Sequence, residues 1–331
     1  MNTIPPFRGS ELFTLDAIVQ SVFDFEELIR QKQNTLRLPP GSPIEAAGLA
    51  ALQMMETFKR EVPRDMLADH RHEWRQAVAL GDMLRKVQRS AGQACFDRLW
   101  PHIMLLLGKG NIALNLWNPR EDSDANKIFE LYVALVLAPF CISLEVEDPV
   151  RSAGGKNPDV IAHLDGVRWA FACKVMHSDS PKTFLDRVEE GIDQIDRSDA
   201  AKGIVVISLK NLLPHEEYWH QERQPSLADF LCPGVIEPTI VTRDLVRICR
   251  SYHNKVIDQL LGGSAAFNSL FNGTKAVPAI LLHLCTTVLV PTAGSPNFCL
   301  LRMFSALTAD PLSTDLQATL EKLNESLHGR K

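Results

Sequence analysis

Apolar residues recur at helical spacing from Pro43 to Arg60. Ser42 stands before Pro43, an N-cap followed by proline at the first helical position. Two further amphipathic stretches follow, from about Pro63 to Ser90 and from Gln93 to Leu107, until Leu106-Leu-Gly-Lys-Gly-Asn interrupts the pattern. Residues 1 to about 115 are therefore expected to be mainly helical.

After Pro119 the periods alternate. A helix is expected over Asp124–Ala138 and a strand over Cys141–Glu147. A loop, Asp148-Pro-Val-Arg-Ser-Ala-Gly-Gly-Lys-Asn-Pro, leads to a second strand at Asp159–Leu164. Asp165-Gly166 is a two-residue hairpin signal, because both positions of a type I′ turn need positive φ, and it joins a third strand at Val167–Met176. Pro181 opens a helix to about Ser198, and Gly203-Ile-Val-Val-Ile-Ser-Leu is the continuous apolar run of a buried central strand. Leu227–Leu231 and Val241–Leu261 read as helices, Ala276–Val290 and Phe298–Ala306 as strands, and Leu312–Leu327 as a final helix. The fold class is α/β, divided into a helical region (1–115) and an αβββαβ domain with a C-terminal β/α extension (116–331).

Composition changes little in this picture. The chain has 331 residues, 45% hydrophobic and 23% charged, with a net charge of −5, which argues against a generally basic, non-specific nucleic-acid binder but not against a local basic cleft. The seven cysteines are scattered and never form a C-x-x-C pair, so neither a zinc site nor a disulfide framework is indicated, and a reducing compartment suits them. The N-terminus lacks the order of a signal peptide, and no apolar run is long enough to span a bilayer. A cytoplasmic protein without membrane association is expected.

The chemistry concentrates in the αβββαβ segment. Pro158-Asp159 starts its second strand. On the third, Ala172 and Lys174 are two residues apart and share a face. Glu130 is the sole charged residue of Ile128-Phe-Glu-Leu-Tyr-Val-Ala-Leu-Val-Leu-Ala, so a buried position with a polar partner is expected. Lys174, flanked by Phe171, Ala172, Cys173 and Val175, likewise asks for a partner. Gln194 lies on the following helix. The element order and these residues resemble the core of the PD-(D/E)XK nucleases, a restriction-endonuclease-like fold, over about a quarter of the chain. The resemblance implies Mg²⁺- or Mn²⁺-dependent hydrolysis of phosphodiester bonds, with DNA ahead of RNA as substrate and restriction or phage defence as the setting. It makes Asp159 the central metal ligand, Glu130 a helix-borne ligand or water anchor, Lys174 the stabiliser of charge on the phosphate and Gln194 a polar site residue. Arg151 and Lys156, in the loop before the second strand, would meet substrate phosphates.

One position departs from the pattern. The family carries Glu or Asp where this chain has Ala172. A natural loss of activity, replacement by Glu145 or Glu147, and a Glu→Ala change in this polypeptide all account for it. The otherwise intact constellation favours the last. Two functions follow: a metal-dependent nuclease impaired by Ala172, or a module on a degenerate nuclease fold that binds nucleic acid or a protein without cutting. Within residues 151–210 Lys/Arg and Asp/Glu are equal in number, so charge does not choose between them. The N-terminal helices could dock a protein partner or a second copy of the chain.

Other motifs carry less. His70-Arg-His72-Glu73 and His215-Glu-Glu-Tyr-Trp-His220 lack the H-E-x-x-H spacing and are expected at the surface. Gly154-Gly155-Lys156 lacks the frame of a phosphate-binding loop and precedes a strand.

Overall fold

The computed structural model describes residues 11–33, 38, 40–59, 71–108, 113–116, 123–147, 157–218, 238–290 and 297–327. A short strand, β1 (Glu11–Thr14), opens it, followed by four helices: α1 (Leu15–Gln33), α2 (Pro43–Lys59), α3 (Arg71–Ser90) and α4 (Phe96–Gly108). Then come α5 (Ser123–Leu137), the meander β2 (Leu144–Val146), β3 (Val160–Leu164) and β4 (Val167–Val175), helix α6 (Pro181–Arg197) and β5 (Lys202–Ser208). The chain closes with α7 (Pro238–His253), the short α8 (Ser264–Ser269), the long hairpin β6 (Ala276–Val290) and β7 (Asn297–Leu307), and α9 (Thr314–Leu327).

The strands form one mixed sheet in the order β1-β7-β6-β5-β4-β3-β2. β4, β5 and β6 are mutually parallel and the other neighbours antiparallel. The protein is thus a mixed α/β fold, and its middle segment follows the expected order of helix, three-stranded meander, crossover helix and parallel strand. The hairpin turn is where Asp-Gly placed it: Asp165 has φ 48° and Gly166 φ 78°. Ser42 caps α2 by accepting from the Glu45 N–H at 3.2 Å, and Ser180 caps α6 by accepting from the Thr183 N–H at 3.2 Å, with Pro181 in its first turn.

Side-chain contacts put α3, α5 and α9 on one face of the sheet and α6 and α7 on the other. Phe129 and Tyr132 of α5 pack on His283 of β6, while Gly191 of α6 lies over Ala172 and Val205. α5 is buried nearly all round from Ile128 to Ala138, as a helix between sheet and outer helices must be. α6 is amphipathic and lies close, because Gly191 and Gly203 leave room. A Cβ on Gly191 would meet both Val205 γ-carbons at 2.9 Å, and one on Gly203 would meet the Ala170 carbonyl and the Ile195 Cγ2 at 2.7 Å. The helical region and the sheet share one hydrophobic core. They are also joined by a buried ionic cluster: Asp82 of α3 accepts from Lys86 at 2.6 Å, from Arg302 of β7, and from the Tyr132 hydroxyl of α5 at 3.3 Å.

Several expectations change. The first strand of the meander shortens to Leu144–Val146. The helix expected at 241–261 begins at Pro238 and widens into a π-helix over Asn254–Leu260. The pattern gave no sign of β1, whose four residues are a strand only because β7 offers them an edge. The helix expected at Leu227–Leu231, and residues 63–70 of the stretch before α3, lie outside the described residues. His215 is a correction. Expected at the surface, it is buried, its Nδ1 2.9 Å from Thr286 Oγ1 and its Nε2 2.7 Å from the Lys210 carbonyl, and burial lowers its pKa to about 3. The turn after β5 tucks it against β6. Among the described residues no helix is long and apolar enough to cross a membrane.

Candidate functional site

The sheet register places the site. β3 pairs with β4 from Val160↔Phe171 onward, and β2 with β3 up to Val146↔Val160. One step further on, Asp159 falls opposite Ala172 on one side and Glu147 on the other, where the Glu147 N–H donates to the Asp159 carbonyl at 3.0 Å. Glu147, Asp159 and Ala172 therefore form a row across three strands where the pairing of β2 and β3 ends. Asp159 is buried, and its Oδ2 accepts from the Cys173 N–H at 2.6 Å.

Two helices complete the group. From α6, Gln194, buried at 3% exposure, accepts through Oε1 a 2.7 Å hydrogen bond from the Lys174 ammonium. From α5, Glu130 comes in, also buried at 3% exposure and close enough to Asp159 for each carboxyl to shift the other. The sequence-derived residues Asp159, Glu130, Ala172, Lys174 and Gln194 are thus all brought to one end of the meander. Arg151 and Lys156 lie outside the described residues.

Lys127 was not foreseen. One turn before Glu130 on α5, it donates to Glu130 Oε2 at 2.8 Å and to Glu147 Oε2 at 3.4 Å. The spacing i, i+3 from the lone Glu130 was a usable signal for it. His102 of α4 brings its Nε2 to 3.7 Å from the same Glu130 oxygen. Of the two carboxylates that could replace the missing acid, only Glu147 lies in the row. Glu145 is engaged by Arg168 through two 3.0 Å hydrogen bonds, which hold its carboxyl below the ordinary value. A shallow cleft of about 320 Å³ runs beside the row, lined by Glu147, Pro158, Ile161, Arg168 and Arg197 among others.

Burial, reinforced by the neighbouring Glu130 charge, pushes the Asp159 carboxyl up to about 8, against the pull of Lys174, the Cys173 N–H and Lys127. Burial likewise raises Glu130, with Glu147 adding to it, although Lys127 and the nearby Asp159 carboxyl pull the other way. At neutral pH the two acids hold a proton between them, as closely placed carboxyls do. Burial works against the Lys127 charge, but Glu130, Asp159 and Glu147 together outweigh it and raise its pKa.

No protein-family model, curated protein or solved structure matches the chain.

The oxygen donors Asp159, Glu130 and Glu147 are of the type that hard divalent cations prefer. Their arrangement does not fit one. Among the described residues no three His, Cys, Asp or Glu side chains are grouped to hold a metal, Ala172 supplies no oxygen, and the Lys127 ammonium already stands among the carboxylates.

Proposed function

We propose that the chain engages nucleic acid, DNA ahead of RNA, through a site of PD-(D/E)XK nuclease type at the end of the meander, and that the site as it stands binds without efficient cutting. The observation that supports this reading is the approach of Glu130 to Asp159 and of Gln194 to Lys174 at one end of the meander, within a segment ordered helix, meander, helix, strand. Lys174 is the group that meets a phosphate: its ammonium is set by Gln194, and its side chain is partly open to solvent. The impairment is twofold. Position 172 bears no carboxylate, and Lys127 neutralises the acids that remain.

Packing bears on the origin of Ala172. A Cβ on Gly191 would lie 3.4 Å from the Ala172 Cβ, and Ala170, Ala172, Gly191 and Gly203 together let α6 rest closely on β4 and β5. This close approach suits a small residue at 172 and supports a natural alanine over a Glu→Ala replacement.

The reading is tested with the full chain. Fluorescence anisotropy against double-stranded DNA, single-stranded DNA and RNA is expected to show salt-dependent binding that Lys174→Ala weakens. With Ala172→Glu, cleavage in Mg²⁺ or Mn²⁺ is expected to rise above that of the parent and to vanish in the Lys174→Ala background. Absence of binding to all three nucleic acids, together with no cleavage by the Ala172→Glu chain, overturns it.

A further inference from the structure

One cause of the misfit between the acids and a divalent metal is Lys127. Its ammonium is 2.8 Å from Glu130 Oε2 and 3.4 Å from Glu147 Oε2, with the Asp159 carboxyl close beside Glu130. Its side chain is 19% exposed, and those of Glu130 and Glu147 are 3% and 7% exposed, so these are pairings largely screened from water and strong for that reason. The geometry is that of a cation with carboxylate oxygens about it, but the cation is covalently tethered to α5. Three further observations fix it there. Lys127 and Glu130 are one turn apart on a helix that is buried from Ile128 onward, so their relative placement is set by the backbone. Glu147 is held at the end of the meander by its N–H bond to the Asp159 carbonyl. Asp159 in turn is fastened to β4 through Cys173.

We infer that Lys127 is the resident counter-cation of this site and takes the place of a divalent metal, so that the charge balance of Glu130, Glu147 and Asp159 is independent of metal. An ammonium and a divalent cation cannot occupy the same oxygens, and the tethered group needs no capture from solution. The inference takes the site from the nuclease-type reading, but it concerns the cation alone and is tested without nucleic acid.

The test compares the full parent chain with Lys127→Met, Lys127→Gln and Lys127→Arg, using Mn²⁺ as the probe. Manganese binding is followed by the loss of the free-ion electron paramagnetic resonance signal, and unfolding temperature is recorded with Mn²⁺ and with chelator. The parent and Lys127→Arg are expected to bind Mn²⁺ weakly and to unfold at the same temperature in both conditions. Lys127→Met and Lys127→Gln are expected to unfold earlier in chelator, to bind Mn²⁺ about tenfold or more tightly than the parent, and to regain stability with it. Two neutral variants are used so that a failure of one to fold leaves the other. Equal Mn²⁺ affinity in the parent and the neutral variants overturns the inference, and so does absence of binding in all four chains. Failure to bind nucleic acid together with no cleavage by the Ala172→Glu chain, with the manganese result as expected, overturns the nuclease-type reading and leaves the role of Lys127 standing.

Discussion

The carboxyl of Asp159 is fastened to the neighbouring strand: its Oδ2 accepts a 2.6 Å hydrogen bond from the backbone N–H of Cys173. The regular pairing of β3 with β4 begins at Val160↔Phe171, so a side chain takes up a backbone donor beyond the end of the ladder. The acid is thereby held where burial and Glu130 disfavour its charge.

The consequence is a dependence of stability on pH. Asp159 has its folded pKa raised to about 8. From about pH 4 to about pH 8 the folded chain keeps a proton that the unfolded chain has released, so this contribution falls as pH rises through that window and levels off above it. The slope is at most about 1.4 kcal/mol per pH unit. Asp159→Asn keeps the acceptor for Cys173 and removes the titration. Urea midpoints at pH 5, 7 and 9 are expected to decline less for the variant than for the parent, with the variant the more stable at pH 9. An unchanged decline would assign the proton to another group.

Lys174 was expected to need a partner, and the structure supplies it in Gln194 at 2.7 Å. A hydrogen bond from a charged donor to a buried amide contributes about 1.5–3 kcal/mol, with the lower end expected here because Lys174 is partly exposed. A double-mutant cycle with Lys174→Met and Gln194→Ala, measured by denaturant unfolding, is expected to give a coupling of about 1.5 kcal/mol. Additive losses would mean that the pair does not act together.

Much of the architecture was legible because local signals and tertiary demands agreed. Asp165-Gly166 requires a tight turn, Pro181 a helix start, and the apolar run from Gly203 a buried strand. What was not legible depends on partners far apart in sequence. β1 exists through β7, and His215 is drawn inward by Thr286. At the site, the charged residue alone on an apolar helix pointed to burial of Glu130, but not to the source of its counter-charge. Lys127 lies just outside that apolar run and reads as the polar start of the helix. Its second partner, Glu147, lies 20 residues on, beyond a turn and a strand.

Gly191 sets how closely α6 approaches the sheet. A methyl group there would stand 2.9 Å from both γ-carbons of Val205, too near for either to remain in place. Gly191→Ala is expected to lose about 1–3 kcal/mol despite the better helix propensity of alanine, since strain from overpacking exceeds the gain of about 1 kcal/mol. Val205→Ala in the same chain relieves the contact, so the double variant should unfold close to Val205→Ala alone. Full additivity of the two losses would show that the helix approach is set elsewhere. Ala172→Glu enters the same tight layer and is expected to lower the melting temperature even as it supplies the missing carboxylate.

Asp82 joins the helical region to the sheet by serving two buried cations at once, Lys86 on its own helix and Arg302 on β7. Burial alone would raise its pKa, but the two cations outweigh burial and hold the carboxyl below its ordinary value. A depressed acid contributes stability above its unfolded pKa near 4 and loses it as pH falls through the folded value, so this cluster weakens on the acid side, opposite in sign to Asp159. Asp82→Ala leaves the two positive charges buried together without the carboxylate and is expected to cost about 3–5 kcal/mol. Replacing all three residues, as Asp82→Leu, Lys86→Met and Arg302→Met, removes the charges along with their desolvation and is expected to recover most of that loss. The measurement is urea unfolding of the parent, Asp82→Ala and the triple variant at pH 7. A triple variant as unstable as Asp82→Ala would show that the cluster contributes more than charge balance, through the geometry it imposes between α3 and β7.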